Sequence, residues 1–129
     1  MERIVIASPD VPSSGKPYSP AIRHGETLYV SGQVALDPAT GGAIEGGFEA
    51  QTRRVLDNLV ALLRAGGSDP SLVLKTTCFL VDIADAARFN EIYREYFPID
   101  PPARSTFAVA ALSAGFLVEV EAIAAVADR

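Results

Sequence analysis

Two runs near the C-terminal end, "TFAVAAL" (106–112) and "AIAAV" (122–126), are apolar at odd and even positions alike. Successive side chains of a strand point to opposite faces, so such runs call for burial on both. The rest of the chain offers two amphipathic helices, enough to cover one face of a sheet. A second subunit is the remaining cover. Self-association follows from the pattern; its symmetry does not.

The order of elements is read from changes of period. "RIVIA" (3–7) reads as a short strand, followed by the loop "SPDVPSSGKPYSP". "AIRHGETLYVSGQVAL" reads as two strands with a hairpin turn at His24-Gly25, and "DPATGG" as a second turn cluster. From Phe48 the period becomes helical: Phe48, Val55, Leu59, Leu62 and Leu63 share a face, with Arg53, Arg54, Asp57 and Asn58 elsewhere. Gly66-Gly67 stop that helix. "SLVLKTTCFLVDI" is a β-branched strand. A second helix runs from Asp85, an N-cap candidate, through Phe89, Ile92, Tyr93 and Tyr96 to Pro98. The strands "RSTFAVAAL" and "FLVEVEAIAAV" close the chain, joined by Ser113-Ala114-Gly115. The expectation is one α+β domain over 1–129, order β-β-β-α-β-α-β-β, with a single sheet and two helices.

Composition narrows the function. With 49% hydrophobic residues in 129 the chain can bury a core, and with no tryptophan that core is largely aliphatic. Sixteen Asp and Glu against eleven Lys and Arg give a formal charge of −5 with no basic run, which disfavours nucleic acid. One cysteine excludes an intramolecular disulfide and fits a reducing compartment. The longest uncharged stretch, 105–118, is too short to span a bilayer, and the N-terminal apolar run is too short for a signal peptide. A cytoplasmic protein with no membrane partner is expected.

Few residues are candidates for chemistry. Arg104 opens a strand behind the stiff approach Pro101-Pro102-Ala103, a natural setting for a guanidinium that clamps a carboxylate; the alternative is a surface arginine paired with a nearby acid. Glu119 and Glu121 interrupt an apolar strand at alternate positions and so share a face, where burial raises a carboxyl toward acid–base use. If the Ser113–Gly115 link makes a hairpin, Arg104 and this pair lie near one open end, as a site or as a structural ion pair. Tyr18, Ser31 beside Gly32, and Asn90 are hydrogen-bonding residues in unlike settings. His24 reads as a turn residue and Cys78 as a buried small hydrophobe. Nothing has His/Cys metal spacing, and "TGGAIEGG" lacks the strand-to-helix setting of a phosphate cradle.

"KPYSPAIRHGETLYVSGQVALDPATG", "FNEIY", "PPARSTF" and "VEVEAIA", in this order and spacing, resemble the YjgF-type, or Rid, reactive-intermediate deaminases over nearly the whole chain. The resemblance implies a chorismate-mutase-like α+β fold, two helices on one face of a mixed sheet, and a homotrimer with sites in the clefts between subunits. It implies hydrolysis of enamine/imine intermediates such as 2-iminobutanoate and 2-iminopropanoate to the 2-oxo acid and ammonia, with no metal or organic cofactor. By matching motif, Arg104 would bind the substrate carboxylate and Glu119 would deprotonate the attacking water. Tyr18, Ser31 and Gly32 would line the cleft, Asn90 would support it, and the backbone of Thr106 would contact substrate. Thr106 stands where many deaminating members carry cysteine, and Lys16 where glycine is familiar. Alternatives are the same chemistry on an aminomuconate-type enamine, a non-catalytic trimer that binds 2-oxo acids, and an endoribonuclease, which the acidity disfavours.

Overall fold

The computed structural model describes residues 1–127. Its strands are β1 (Arg3–Ile6), β2 (Ala21–His24), β3 (Thr27–Gln33), β4 (Val73–Leu80), β5 (Ala103–Ala108) and β6 (Val118–Ala125), and its helices α1 (Phe48–Ala65) and α2 (Ala86–Tyr96). They follow the order read from the sequence. They form one mixed sheet, β1-β2-β3-β6-β4-β5, antiparallel except for the edge pair β4–β5. A parallel pair cannot be joined by a tight turn, and α2 supplies the crossover.

Period-two patterning sets the two faces. Val118, Val120, Ala122 and Ala124 of β6, with Leu28 and Val30 of β3 and Cys78 and Leu80 of β4, are buried on the helix side. Val55, Leu56, Leu59, Leu62 and Leu63 of α1 close this core. The opposite face has no helix. It carries Tyr29, Phe107 and Ile123, exposed at 48%, 44% and 38%, beside half-buried Phe79, Glu119 and Lys75. The bare face expected from the doubly apolar strands is therefore present.

The helix ends are chemically specified. Gly67, at φ +84°, adopts the left-handed backbone just past α1; its N–H donates to Arg64 C=O and that of Ser68 to Leu63 C=O. Asp85 sits at the N-cap of α2 but its side chain makes no capping bond. The cap falls instead on Asp82, whose Oδ1 accepts from Ala84 N–H and starts a short 3-10 turn leading into the helix. At the first hairpin the two-residue turn is Gly25-Glu26, since His24 still pairs with Thr27.

Two further expectations fail. Asn58 is buried rather than on the polar side: its Nδ2 donates to Leu36 C=O at 3.0 Å and Val34 C=O at 3.4 Å, and its Oδ1 accepts from Arg54. It satisfies carbonyls of the chain leaving β3, which a leucine there could not do. The other failure is the C-terminal hairpin. β5 ends at Ala108, the chain leaves the sheet edge, and β6 enters between β3 and β4. The connection runs from Val109 to Leu117, whose ends bond to Leu80 and Val81 of the β4 end, and so it crosses β4. The alternation of β6 requires a central position, because its four helix-side residues need burial and both its edges need partners.

Asn58→Ala leaves two buried carbonyls without a donor. A loss of about 1–3 kcal/mol in unfolding free energy is expected, read from urea denaturation.

Candidate active site

The polar residues of interest fall into two groups on opposite faces of the sheet. Thr76 of β4 is in register with Arg104 of β5 and Cys78 with Thr106, so both β5 side chains project to the helix side. There Arg104 Nη2 donates to Asn90 Oδ1 at 2.7 Å. Its guanidinium carbon stands 4.8 Å from the centre of the Tyr93 ring and 5.6 Å from that of Phe89. Asn90, Tyr93, Phe97, Pro102 and Arg104 line a cavity of 230 Å³. Thr106 Oγ1 is buried without a hydrogen-bond partner among the described residues.

The second group gathers around Glu119. β3 bulges between Val30 and Gln33, where Ser31 and Gly32 fall out of register with β6. A Cβ on Gly32 would overlap the Glu119 carboxylate, so glycine is what lets the acid lie along this bulge. Ser31 fixes the loop before β2: its Oγ donates to Ser19 C=O at 2.6 Å and its N–H to Pro20 C=O at 2.9 Å. Tyr18 of that loop is 55% exposed and lines a small cleft with Gly32 and Gln33.

Electrostatics distinguish the groups. Partial burial first, and the nearby Glu121 second, raise the Glu119 carboxyl above the ordinary carboxylate range. Burial pushes the Cys78 thiol up, which disfavours the thiolate that a nucleophile needs. Burial likewise holds Tyr93 up at about 12, so the ring beneath Arg104 stays a neutral phenol. Among the described residues no group of three His, Cys, Asp or Glu is placed to hold a metal ion, and no helix is long and apolar enough to cross a membrane.

The anticipated neighbourhood of Arg104 and the glutamates is overturned within one chain. Arg104 shares its row with Thr76 and Ala122, three residues along β6 from Glu119, two strands away and on the other face. Neither is in an ion pair among the described residues. Gly32 and Ser31 lie at the bulge against Glu119, with Tyr18 in a cleft that Gly32 shares; Asn90 and Arg104 meet elsewhere, with Thr106 two residues along the same strand face. Tyr93 and Phe89, the aromatic floor under Arg104, were read only as core residues; their place beside Asn90 on one α2 turn was the available signal.

A mixed six-stranded sheet with both helices on one face and two separated polar clusters defines a small α+β class. Residues 9–126 match the family model described as Endoribonuclease L-PSP. The chain is 46% identical over 126 residues to Protein DfrA of Myxococcus xanthus, covering 96% of each. It is 44% identical over 122 residues to the 2-iminobutanoate/2-iminopropanoate deaminase of Mus musculus, covering 95% of this chain and 90% of that one. The crystal structure of the Rid-family protein YyfA from Yersinia pestis superposes with a TM-score of 0.93 at 43% identity, over 97% of this chain and 100% of that one. The chain therefore belongs to the YjgF/Rid family.

The raised Glu119 value has a consequence for stability. The folded state binds that proton more tightly than the unfolded state does. Its contribution is full below the ordinary carboxylate value and is lost as pH rises through the raised one. Glu119→Gln is expected to melt above wild type at pH 7, with the gap closing toward pH of about 4, in thermal melts across that range.

Proposed function

We propose that this chain, a single Rid-type domain over 1–129, is a hydrolytic deaminase of small 2-imino acids and their enamine tautomers, releasing 2-oxo acid and ammonia. The observation that carries the reading is the guanidinium of Arg104, in no ion pair among the described residues and held by Asn90 and an aromatic floor beside an open cavity. A planar fork with free donors suits the carboxylate common to these substrates. The names and identities of the deaminase relatives support the same reaction.

The imine carbon next to a carboxylate is already electrophilic, so the protein need only hold substrate and water and carry the water's protons to nitrogen. Arg104 binds the carboxylate with two hydrogen bonds. Glu119, ionised, takes a proton from water as the oxygen bonds to the imine carbon and the C=N electrons go to nitrogen. That proton passes to the nitrogen, giving a carbinolamine; Glu119 then carries the hydroxyl proton to the amine as well, the C–N bond breaks, and ammonia leaves as the C=O forms. Tyr18, Ser31 and Gly32 shape the cleft around the water, and the Thr106 backbone lies along substrate on the edge strand.

A substrate of four carbons cannot reach Arg104 and Glu119 through the sheet that separates them, which supports a site shared by two copies. The two half-sites are unlike surfaces, so their contact is heterologous, of the kind that builds a ring when the rotation between copies closes. The bare sheet face, with Tyr29, Phe107 and Ile123, supplies apolar area for the homotrimer expected of the family. A cytoplasmic setting, with its reduced thiols, suits the lone Cys78. A ribonuclease gains no support from the charge of −5 or from His24, exposed at the end of β2.

The test generates 2-iminobutanoate and 2-iminopropanoate in situ with an amino-acid oxidase and a competing trap. Wild type is expected to speed imine loss, and Arg104→Ala to lower kcat/KM by about 100-fold or more. No acceleration by folded protein, with 2-oxo acid bound in calorimetry, would replace the enzyme by a binding protein. A second measurement addresses the shared site. Arg104→Ala and Glu119→Gln chains, each inactive alone, are unfolded and refolded together. In randomly mixed trimers about a quarter of clefts combine both intact residues, and activity should return to that order.

A further inference from the structure

We infer that Tyr93 and Thr76 are positioning residues that lock the plane of the Arg104 guanidinium. The inference rests on the deaminase reading above, in which that guanidinium holds the substrate carboxylate. Tyr93 lies under Arg104 at 4.8 Å, with its ring packed between Phe89 and Phe97 at centroid distances of 5.5 and 4.6 Å. Its hydroxyl lies 2.7 Å from Thr76 Oγ1 in a hydrogen bond buried from solvent. Thr76 is also the residue paired with Arg104 across the β4–β5 ladder.

One threonine thus fixes both ends of the arginine. The backbone of Arg104 is set by its register against Thr76, and its head by a ring whose rotation Thr76 restrains. Asn90 Oδ1 accepts from one Nη2 donor, while the guanidinium carbon stands over the Tyr93 ring. Side-chain torsions that a free arginine would sample are then restricted before substrate arrives, which lowers the entropic cost of a two-point carboxylate contact. A core role alone needs no hydroxyl at position 93, because phenylalanine would fill the same volume between Phe89 and Phe97.

The test compares Tyr93→Phe, Tyr93→Leu and Thr76→Val in the wild-type and Arg104→Lys backgrounds. A lysine ammonium has no plane to hold, so dependence on Tyr93 should vanish there. Tyr93→Leu is expected to raise KM for 2-iminobutanoate about tenfold, with kcat changed less than about threefold, because the carboxylate contact is alike in ground and transition states. Tyr93→Phe and Thr76→Val should each raise KM about threefold. In Arg104→Lys all three effects should shrink below about twofold. Equal effects in both backgrounds, or none in either, overturn the inference. A second readout needs no substrate: NMR relaxation of Arg104 Nε should show a rigid group in wild type and a mobile one in Tyr93→Leu. If wild type turns over no imine, the deaminase reading fails, and a still-rigid Nε in Tyr93→Leu would overturn the positioning role by itself.

Discussion

The alternation along β6 governs most of what this chain can do. Its even positions, Val118 to Ala124, complete the core beneath α1, and its odd positions, Glu119, Glu121 and Ile123, stand on the face without helices. A strand buried on one face by a helix and flanked on both edges by β3 and β4 has no freedom to slip, because a shift of one residue would drive two carboxylates into the core. Register is thereby fixed for the neighbouring strands too. The bulge at Ser31-Gly32 is the local adjustment that leaves room for the one carboxylate lying against β3.

Much of this was legible in the residues. The period of the segment from Phe48 gives α1, the Gly66-Gly67 stop its end, and the placing of Glu119 and Glu121 on one face needs only the pleat. The uncovered face was legible as well, from strands apolar at every position. What periodicity cannot report is which strands are neighbours. It tells which way a side chain points, not what lies beside it, so the short link Ser113–Gly115 suggested a hairpin where the chain in fact crosses β4. The supposed closeness of Arg104 and Glu119 failed with it.

Smaller errors have the same origin. Asn58 looks polar on a helical wheel, yet a buried amide is favourable where irregular backbone passes underneath, and that backbone belongs to a segment over twenty residues away. Asp85 has the chemistry of a cap, but the 3-10 turn places Asp82 at the first free N–H groups. In both cases the competing partner comes from tertiary or turn geometry that local propensity does not encode. The candidate site residues were named through motif order, and the structure adds the division between them.

The crossover β4–α2–β5 has a bearing on how the chain acquires its parts. Asn90 and Arg104 are 14 residues apart, and Thr76 and Tyr93 only 17, so the guanidinium and its supports lie within one contiguous unit. Glu119 and Gly32 come from opposite ends of the sequence and meet only when β3 and β6 pair. Short loops close at lower entropic cost than long ones, so the arginine cradle is the part that can form early, while the carboxylate on the bulge waits for the last long-range pairing.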